Sequence, residues 1–317
     1  MAMTSDYLIE RRKLGRRVSF WRWATSLILI AAIIGFGLVA AGGPEIEHRS
    51  AHIAKLKISG VITGDEETIK LIDEIGESNA KAVLVEIQSP GGTVTGSEAL
   101  FDALRKLAAK KPTVALVDGM AASGGYIVAL ATDRIFARET SIVGSIGVLF
   151  QYPDIVGLLD RIGVKVESIK SSPLKAAPSP IESATAESRA AIAALVQENF
   201  DWFKRLVRER RGLDDAGLAT VSDGRVFTGK QGVTLGLVDQ LGAEDQARAW
   251  LEQEKHLPRA LPVREWRHHG FAEKWGLSGL ARAAGLDRVA NFADLIAKSP
   301  ETQMLDGVLV LWHPQLP

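Results

Sequence analysis

From residue 54 onward, two kinds of apolar spacing alternate along the chain. AKLKISGVI (54–62) is apolar at about every second position, the period of a half-buried strand. DEETIKLIDEIGES (65–78) spaces Ile69, Ile72 and Ile75 three apart, which is one face of a helix. KAVLVEIQ (81–88) predicts a strand that ends at Ser89-Pro90-Gly91-Gly92, and GSEALFDALRKLAAK (96–110) predicts an amphipathic helix. TVALVD (113–118) is a continuous apolar run of the buried-strand type. Small residues follow, Gly119 to Gly125, and then an apolar helix begins. RIFAR (134–138) and SIVGSIGVLF (141–150) read as strands, PDIVGLLDRIG (153–163) as a short helix and VKVESIK (164–170) as one more alternating strand. A long helix covers residues 182–212. Strands that alternate with helices imply parallel βαβ units with helices on the faces of a sheet, an α/β fold.

Beyond about residue 256 the pattern decays. Residues 256–270 look like loop, residues 272–299 look helical and amphipathic, and MLDGVLVLWHPQLP (304–317) contains an exposed-looking apolar strand. The plain role for such a tail is packing on a neighbour or on a membrane surface. The domain plan is therefore a basic N-terminus at 1–23, an apolar segment at 24–43, a linker at 44–52, an α/β domain at 53–255 and a tail at 256–317.

The apolar segment alters the picture most. Residues 24–43 contain no charge over twenty positions, enough helix to cross a bilayer core. Five positive charges precede it at 11–17, and Trp21 and Trp23 stand at its edge. The positive-inside rule places the N-terminus in the cytoplasm and the remainder outside, as a single-pass protein of the cytoplasmic membrane held in lipid by that helix. A cleavable signal peptide is the competing reading. Formal net charge is zero, with 38 basic and 38 acidic residues, so nothing suggests a nucleic-acid partner. The absence of cysteine excludes disulfides, thiol nucleophiles and thiolate metal sites. No ligand set or phosphate loop predicts a metal or a cofactor.

Chemistry centres on Ser123, placed where a strand gives way to a helix. Free N–H groups of the helix start point toward such a position. The serine is either a helix cap or a nucleophile that needs a base. The paired glycines after Ser89 are either an ordinary turn or a second set of backbone donors facing the same pocket. No histidine lies between residues 53 and 255, which argues against a Ser-His-Asp triad and leaves lysine as the base. A lysine must be neutral to accept a proton, so it needs a desolvated site. Lys175, in the proline-bounded IKSSPLKAAPSP (169–180), fits better than Lys165 and Lys170, which sit on an alternating, solvated stretch.

The motifs IQSPGG, DGMAASGGYIVALATDRIFA and SIVGSIGV, the lysine loop and DGRVFTGKQGVTLGLVDQLG (223–242) occur in one order. Over residues 53–245 the chain resembles the signal peptide peptidase SppA family in its short, single-domain form, with Gln88 where Asn is commoner. The resemblance implies the fold of the Clp peptidase subunit and the crotonases. It implies a Ser/Lys dyad of Ser123 and Lys175, with Gly92, flanked by Gly91, and Gly124 as oxyanion-hole positions. It further implies degradation of signal-peptide fragments and other extended, membrane-derived peptides. The assembly expected is a homo-oligomeric ring of eight, with serine and lysine from different subunits. Two alternatives share the fold, a crotonase-like acyl-CoA enzyme and a non-catalytic membrane quality-control scaffold.

Overall fold

The computed structural model describes residues 21–30, 50–259 and 261–267, together with the backbone of 308–311. Residues 21–30 are helical (α1) and largely exposed, in a compact unit separate from the one that carries the sheet. No helix among the described residues is long and apolar enough to cross a membrane. Most of the expected anchor, the basic run before it and the expected helix at 272–299 lie outside the described residues.

The sheet grows from two long strands. β1 (His52–Ile62) and β2 (Ala80–Thr93) run parallel, joined by α2 (Glu66–Glu77), whose Leu71, Ile72 and Ile75 are buried. After α3 (Val94–Ala108) comes β3 (Thr113–Val117), with all five residues buried, beside the first half of β2. β4 (Met120–Ala122) meets the second half of β2, pairing Ala121 with Ser89. So β2 carries one row of strands on its first half and another on its second. α4 (Gly124–Leu130), β5 (Arg134–Ala137) and β6 (Ile142–Gly144) extend the rows, β5 beside β3 and β6 beside β4. These pairings are parallel, as crossover connections demand.

Next are β7 (Leu149–Phe150), α5 (Val156–Arg161), the long α6 (Ala186–Arg211) and α7 (Asp215–Val221). β8 (Val226–Thr228) runs antiparallel to β6, followed by α8 (Gly229–Thr234). β9 (Gln240–Leu241), α9 (Glu244–Glu254), β10 (Val263–Trp266) and β11 (Val308–Leu311) complete the order. The observed architecture is the expected mixed α/β fold around a mainly parallel sheet.

Four local expectations change. β2 does not stop at Ser89 but runs through the Ser-Pro-Gly-Gly to Thr93. Its pairing with β1 slips between Ser59 and Val61, leaving Pro90 as the extra residue of a bulge, a place where a missing N–H is harmless. Residues 164–170 are not a strand: both faces of the alternation are exposed and no strand among the described residues offers a ladder. The run 141–150 is two short strands, split where Gly144 and Ser145 take positive φ of 95° and 53°. Residues 263–266, expected as loop, form β10 parallel to β1. Buried His52 of β1 ties it down, its Nε2 accepting from the Trp266 indole N–H at 3.0 Å.

Candidate active site

Two turns meet at the end of β2. Ser89, fully buried, donates its hydroxyl to the Gly60 carbonyl at 2.7 Å and accepts from the Gly91 N–H at 3.1 Å. That serine sets the path of the glycines beyond it. Gly91 has φ of 111°, which a side chain resists. A Cβ on Gly92 would lie 1.8 Å from the Ile62 carbonyl oxygen, so only glycine permits β1 to approach this closely. From the other side, a Cβ on Gly125 would lie 2.7 Å from the Ser89 carbonyl oxygen. The start of α4 therefore presses on β2, just before the glycine pair.

Ser123 stands at that helix start and is 1% exposed. Its N–H donates to the Gly144 carbonyl at 2.7 Å, and its own carbonyl accepts from Tyr126 and Ile127 N–H at 2.9 and 3.0 Å. Its φ and ψ are 52° and −116°, a combination that costs a non-glycine residue on the order of 1–3 kcal/mol. A capping serine would accept from the N–H two or three residues on. Five helices here are capped in that manner, by Asp65, Thr93, Thr185, Asp214 and Thr228. Ser123 makes no such bond. Its hydroxyl has no hydrogen-bond partner among the described residues, and Gly124, beside it, begins the helix.

The framework behind the serine is heavily fixed. All seven residues of α4 are buried. The Tyr126 hydroxyl donates to the Leu237 carbonyl at 2.8 Å, and burial pushes its phenol well above the ordinary range. At the other end, Arg210 donates to the Leu130 and Thr132 carbonyls at 2.8 and 2.9 Å, and Arg105 to the Ala131 carbonyl at 2.9 Å. These guanidinium groups satisfy carbonyls that a helix end leaves open. Arg211 pairs with Asp239 through two nitrogens at 3.0 Å each, holding α6 to the strand rows.

Lys175 is placed differently. It is exposed, in a turn closed by its own N–H to the Ser172 carbonyl at 3.1 Å. Its ammonium forms neither ion pair nor hydrogen bond among the described residues. From Gly147 to Glu187 no residue is buried. This arm folds mainly on itself: the Ile155 N–H donates to the Pro180 carbonyl at 2.9 Å, and Lys170 pairs with Glu182. Leu158, Ile162, Val164, Val166, Ile169 and Leu174 stand open to solvent on it. Within one chain, then, the segment that carries Ser123 and Gly124 packs on β2 at Ser89, two residues before Gly91, and Lys175 makes no bond to either among the described residues.

Sequence reasoning missed two residues. Ser89 orders the glycine turn. Ser145, 7% exposed with φ of 53°, follows the glycine whose carbonyl holds Ser123. The signal for each was a serine within two residues of a glycine in a strand-like run, too common a pattern to single out.

A family model, Peptidase family S49, matches residues 105–258. A Synechocystis sp. protein named "Putative protease slr0021" is 35% identical over 200 residues, covering 62% of this chain and 72% of that one. The Enterococcus faecium protein named "Putative signal peptide peptidase SppA" is 33% identical over 253 residues, 74% of this chain and 73% of its own. Among solved structures, a 1510-N membrane-bound stomatin-specific protease covers 69% of this chain and 99% of its own, at 15% identity and a TM-score of 0.47.

Proposed function

The chain belongs to peptidase family S49, the family of signal peptide peptidase SppA, and from that premise we propose a serine endopeptidase working through a Ser123/Lys175 dyad. The observation that carries this reading is the Ser123 turn. A serine at a helix start that makes no cap, yet is held in a costly backbone conformation, is placed for its hydroxyl and not for the helix. Strain of this kind at a strand-to-helix turn suits a nucleophile whose oxygen must project into a pocket.

In the proposed reaction the lysine takes the Ser123 proton and the hydroxyl oxygen attacks the scissile carbonyl. The N–H groups of Gly92 and Gly124 hold the oxyanion, with Gly91 shaping the turn. The leaving amine takes a proton, an acyl-enzyme remains, and water activated by the same lysine releases it. The lysine comes from a neighbouring copy. Support for this is the arm itself, which carries Lys175 beside six uncovered apolar side chains, a surface suited to burial on another subunit. A closed cyclic assembly meets that need, of eight subunits by resemblance to the family. Residues 24–43 anchor the ring to the cytoplasmic membrane with the peptidase unit on the outer side. The substrates are cleaved signal peptides and other extended peptides released from the membrane.

The test mixes two inactive proteins, Ser123→Ala and Lys175→Ala, and co-assembles them. A site shared between subunits regains peptide hydrolysis at some interfaces. Verified co-assembly with no regained activity would remove the shared site. A Ser123→Ala protein with near-normal turnover by itself would remove the nucleophile.

A further inference from the structure

We propose that Ser89 is the positioning residue of the oxyanion hole: its hydroxyl takes the Gly91 N–H into the fold, makes Gly92 the donor of the glycine pair and ties that donor to the Ser123 turn. This rests on the peptidase reading of the Ser123 site and deepens it. The ladder between β1 and β2 runs up to Ser59 opposite Gln88 and resumes with Val61 opposite Gly91. In between, Gly60 of β1 faces two residues of β2, Ser89 and Pro90, and proline has no N–H to offer. The Ser89 side chain stands in for the missing rung. Its one hydroxyl proton goes to the Gly60 carbonyl at 2.7 Å, and a lone pair receives the Gly91 N–H at 3.1 Å. Only a side chain that both donates and accepts can close this gap.

Because the Gly91 N–H is turned onto Ser89, an oxyanion at this turn takes its hydrogen bond from Gly92. Such stabilisation depends on a donor that is already in place when the charge develops. Glycine backbones are permissive, so the pair needs a hold from outside itself. Ser89 supplies it and is itself held. It is fully buried, and it pairs with Ala121 of β4, two residues before Ser123. The start of α4 presses on its carbonyl at Gly125. One residue thus stands between the turn that carries the nucleophile and the turn that carries the donor, and it sets the spacing of the two.

The test compares Ser89→Ala with Ser141→Ala. Ser141 is a matched control: 2% exposed, it donates to the Val117 carbonyl at 2.5 Å and accepts the Arg138 N–H at 3.0 Å, with no bond to either glycine. Each variant gives up the same kind of bond pair, so a loss of general stability falls on both. A peptide aldehyde reports on the hole directly. The Ser123 oxygen bonds to its carbonyl carbon, the C=O π bond opens to an alkoxide that the hole holds, the serine proton passes to the lysine, and nothing leaves. In Ser89→Ala, kcat for a short peptide is expected to fall by about 100-fold and the aldehyde Ki to rise by the same factor, the scale of a displaced oxyanion donor, with KM unchanged. Ser141→Ala is expected to keep kcat and Ki at the parent's values. Amide hydrogen exchange, run in a Ser123→Ala background so that it needs no turnover, is expected to quicken at Gly91 and Gly92 with Ser89→Ala only. Ser89→Cys fills the site and keeps only a weak donor and acceptor. It covers the case of an alanine variant that does not fold or assemble, and the same split is expected of it. Parent-like kcat and Ki in Ser89→Ala would overturn the proposal. Equal losses in the two alanine variants would overturn it too, because they would belong to packing. So would a rise in KM without a fall in kcat, which would make Ser89 a determinant of peptide binding. If the parent cuts no peptide and captures no aldehyde while exchange still responds to Ser89→Ala, the peptidase reading has failed, and the role of Ser89 falls with it.

Discussion

Ser123 is held by the strand rows around it, while Lys175 stands on an arm in which no residue from Gly147 to Glu187 is buried. The first position is fixed by a carbonyl from β6, by a fully buried helix behind it and by glycines that admit β2. The second is fixed by little beyond a local turn. The difference separates two times at which a catalytic group acquires its geometry. The serine acquires it when the chain folds, and under the shared-site reading the lysine acquires it when chains assemble. Activity is then expected to depend on protein concentration, although the fold does not.

The largest effects break the comparison at its chemistry. Ser123→Ala and Lys175→Ala are each expected to lower peptide turnover by about 10⁴-fold or more, the scale seen when a nucleophile or its base is removed. Lys175→Arg should fail as fully, because arginine keeps its charge and accepts no proton. Thermal unfolding of both lysine variants should match the parent, since Lys175 is exposed. An arginine variant with substantial turnover would make Lys175 a charge contact and not a base.

Glycine substitutions test the packing difference next. Gly125→Ala forces a Cβ to 2.7 Å from the Ser89 carbonyl oxygen and is expected to cost about 2–3 kcal/mol in denaturant unfolding. Gly157→Ala on the arm meets nothing within 4 Å and lies within α5. It is expected to be neutral or to stabilise by about 0.5–1 kcal/mol through helix propensity. Equal costs at the two sites would mean that the arm is as tightly determined as the rows around Ser123.

Ser123→Gly sharpens the account of strain. A glycine adopts φ of 52° freely, so the variant should be inactive yet more stable than the parent by about 1 kcal/mol, read from its unfolding midpoint. A less stable variant would mean that the hydroxyl contributes to the fold after all.

The smallest effect concerns pH, far from both groups. Burial lowers the His52 pKa below its ordinary 6.5. Its neutral ring donates from Nδ1 to the Ser50 carbonyl and accepts the Trp266 N–H at Nε2. The folded state therefore resists protonation and the unfolded state does not. The contribution is present above pH of about 6.5 and is lost as pH falls below it. His52→Gln should flatten the drop in melting temperature between about pH 7 and pH 5.5; a slope identical to the parent's would assign the drop to other groups.

Period-based reading worked where a face is buried against the sheet. The strand at 113–117 and the helix at 66–77 follow from apolar spacing alone, because burial enforces that spacing. It failed where a partner decides the outcome. VKVESIK alternates like a strand but has no strand to pair with among the described residues. VREW, flanked by Pro262, does not stand out as a strand yet lies beside β1. Pro90-Gly91-Gly92 looked like a turn, since the bulge that accommodates the proline depends on Gly60, thirty residues earlier. The site was half legible. Ser123 drew notice by its place between strand and helix, but the φ angle and the missing cap bond on which the proposed nucleophile role rests have no signature in the sequence. Spacing within one chain could not show that Lys175 stands apart from it.

The docked strand β11 also bears on how this protein survives at high concentration. VLVLW is uncharged, β-prone and free of proline, the composition of a segment that stacks on copies of itself. Groups at the edges of β2 and β7 would be equally adhesive if left bare. Seating one against the others conceals four sticky edges at once, two of β11 and one each of β2 and β7. Variants that release β11 should therefore lose colloidal stability, read as earlier aggregation at high protein concentration.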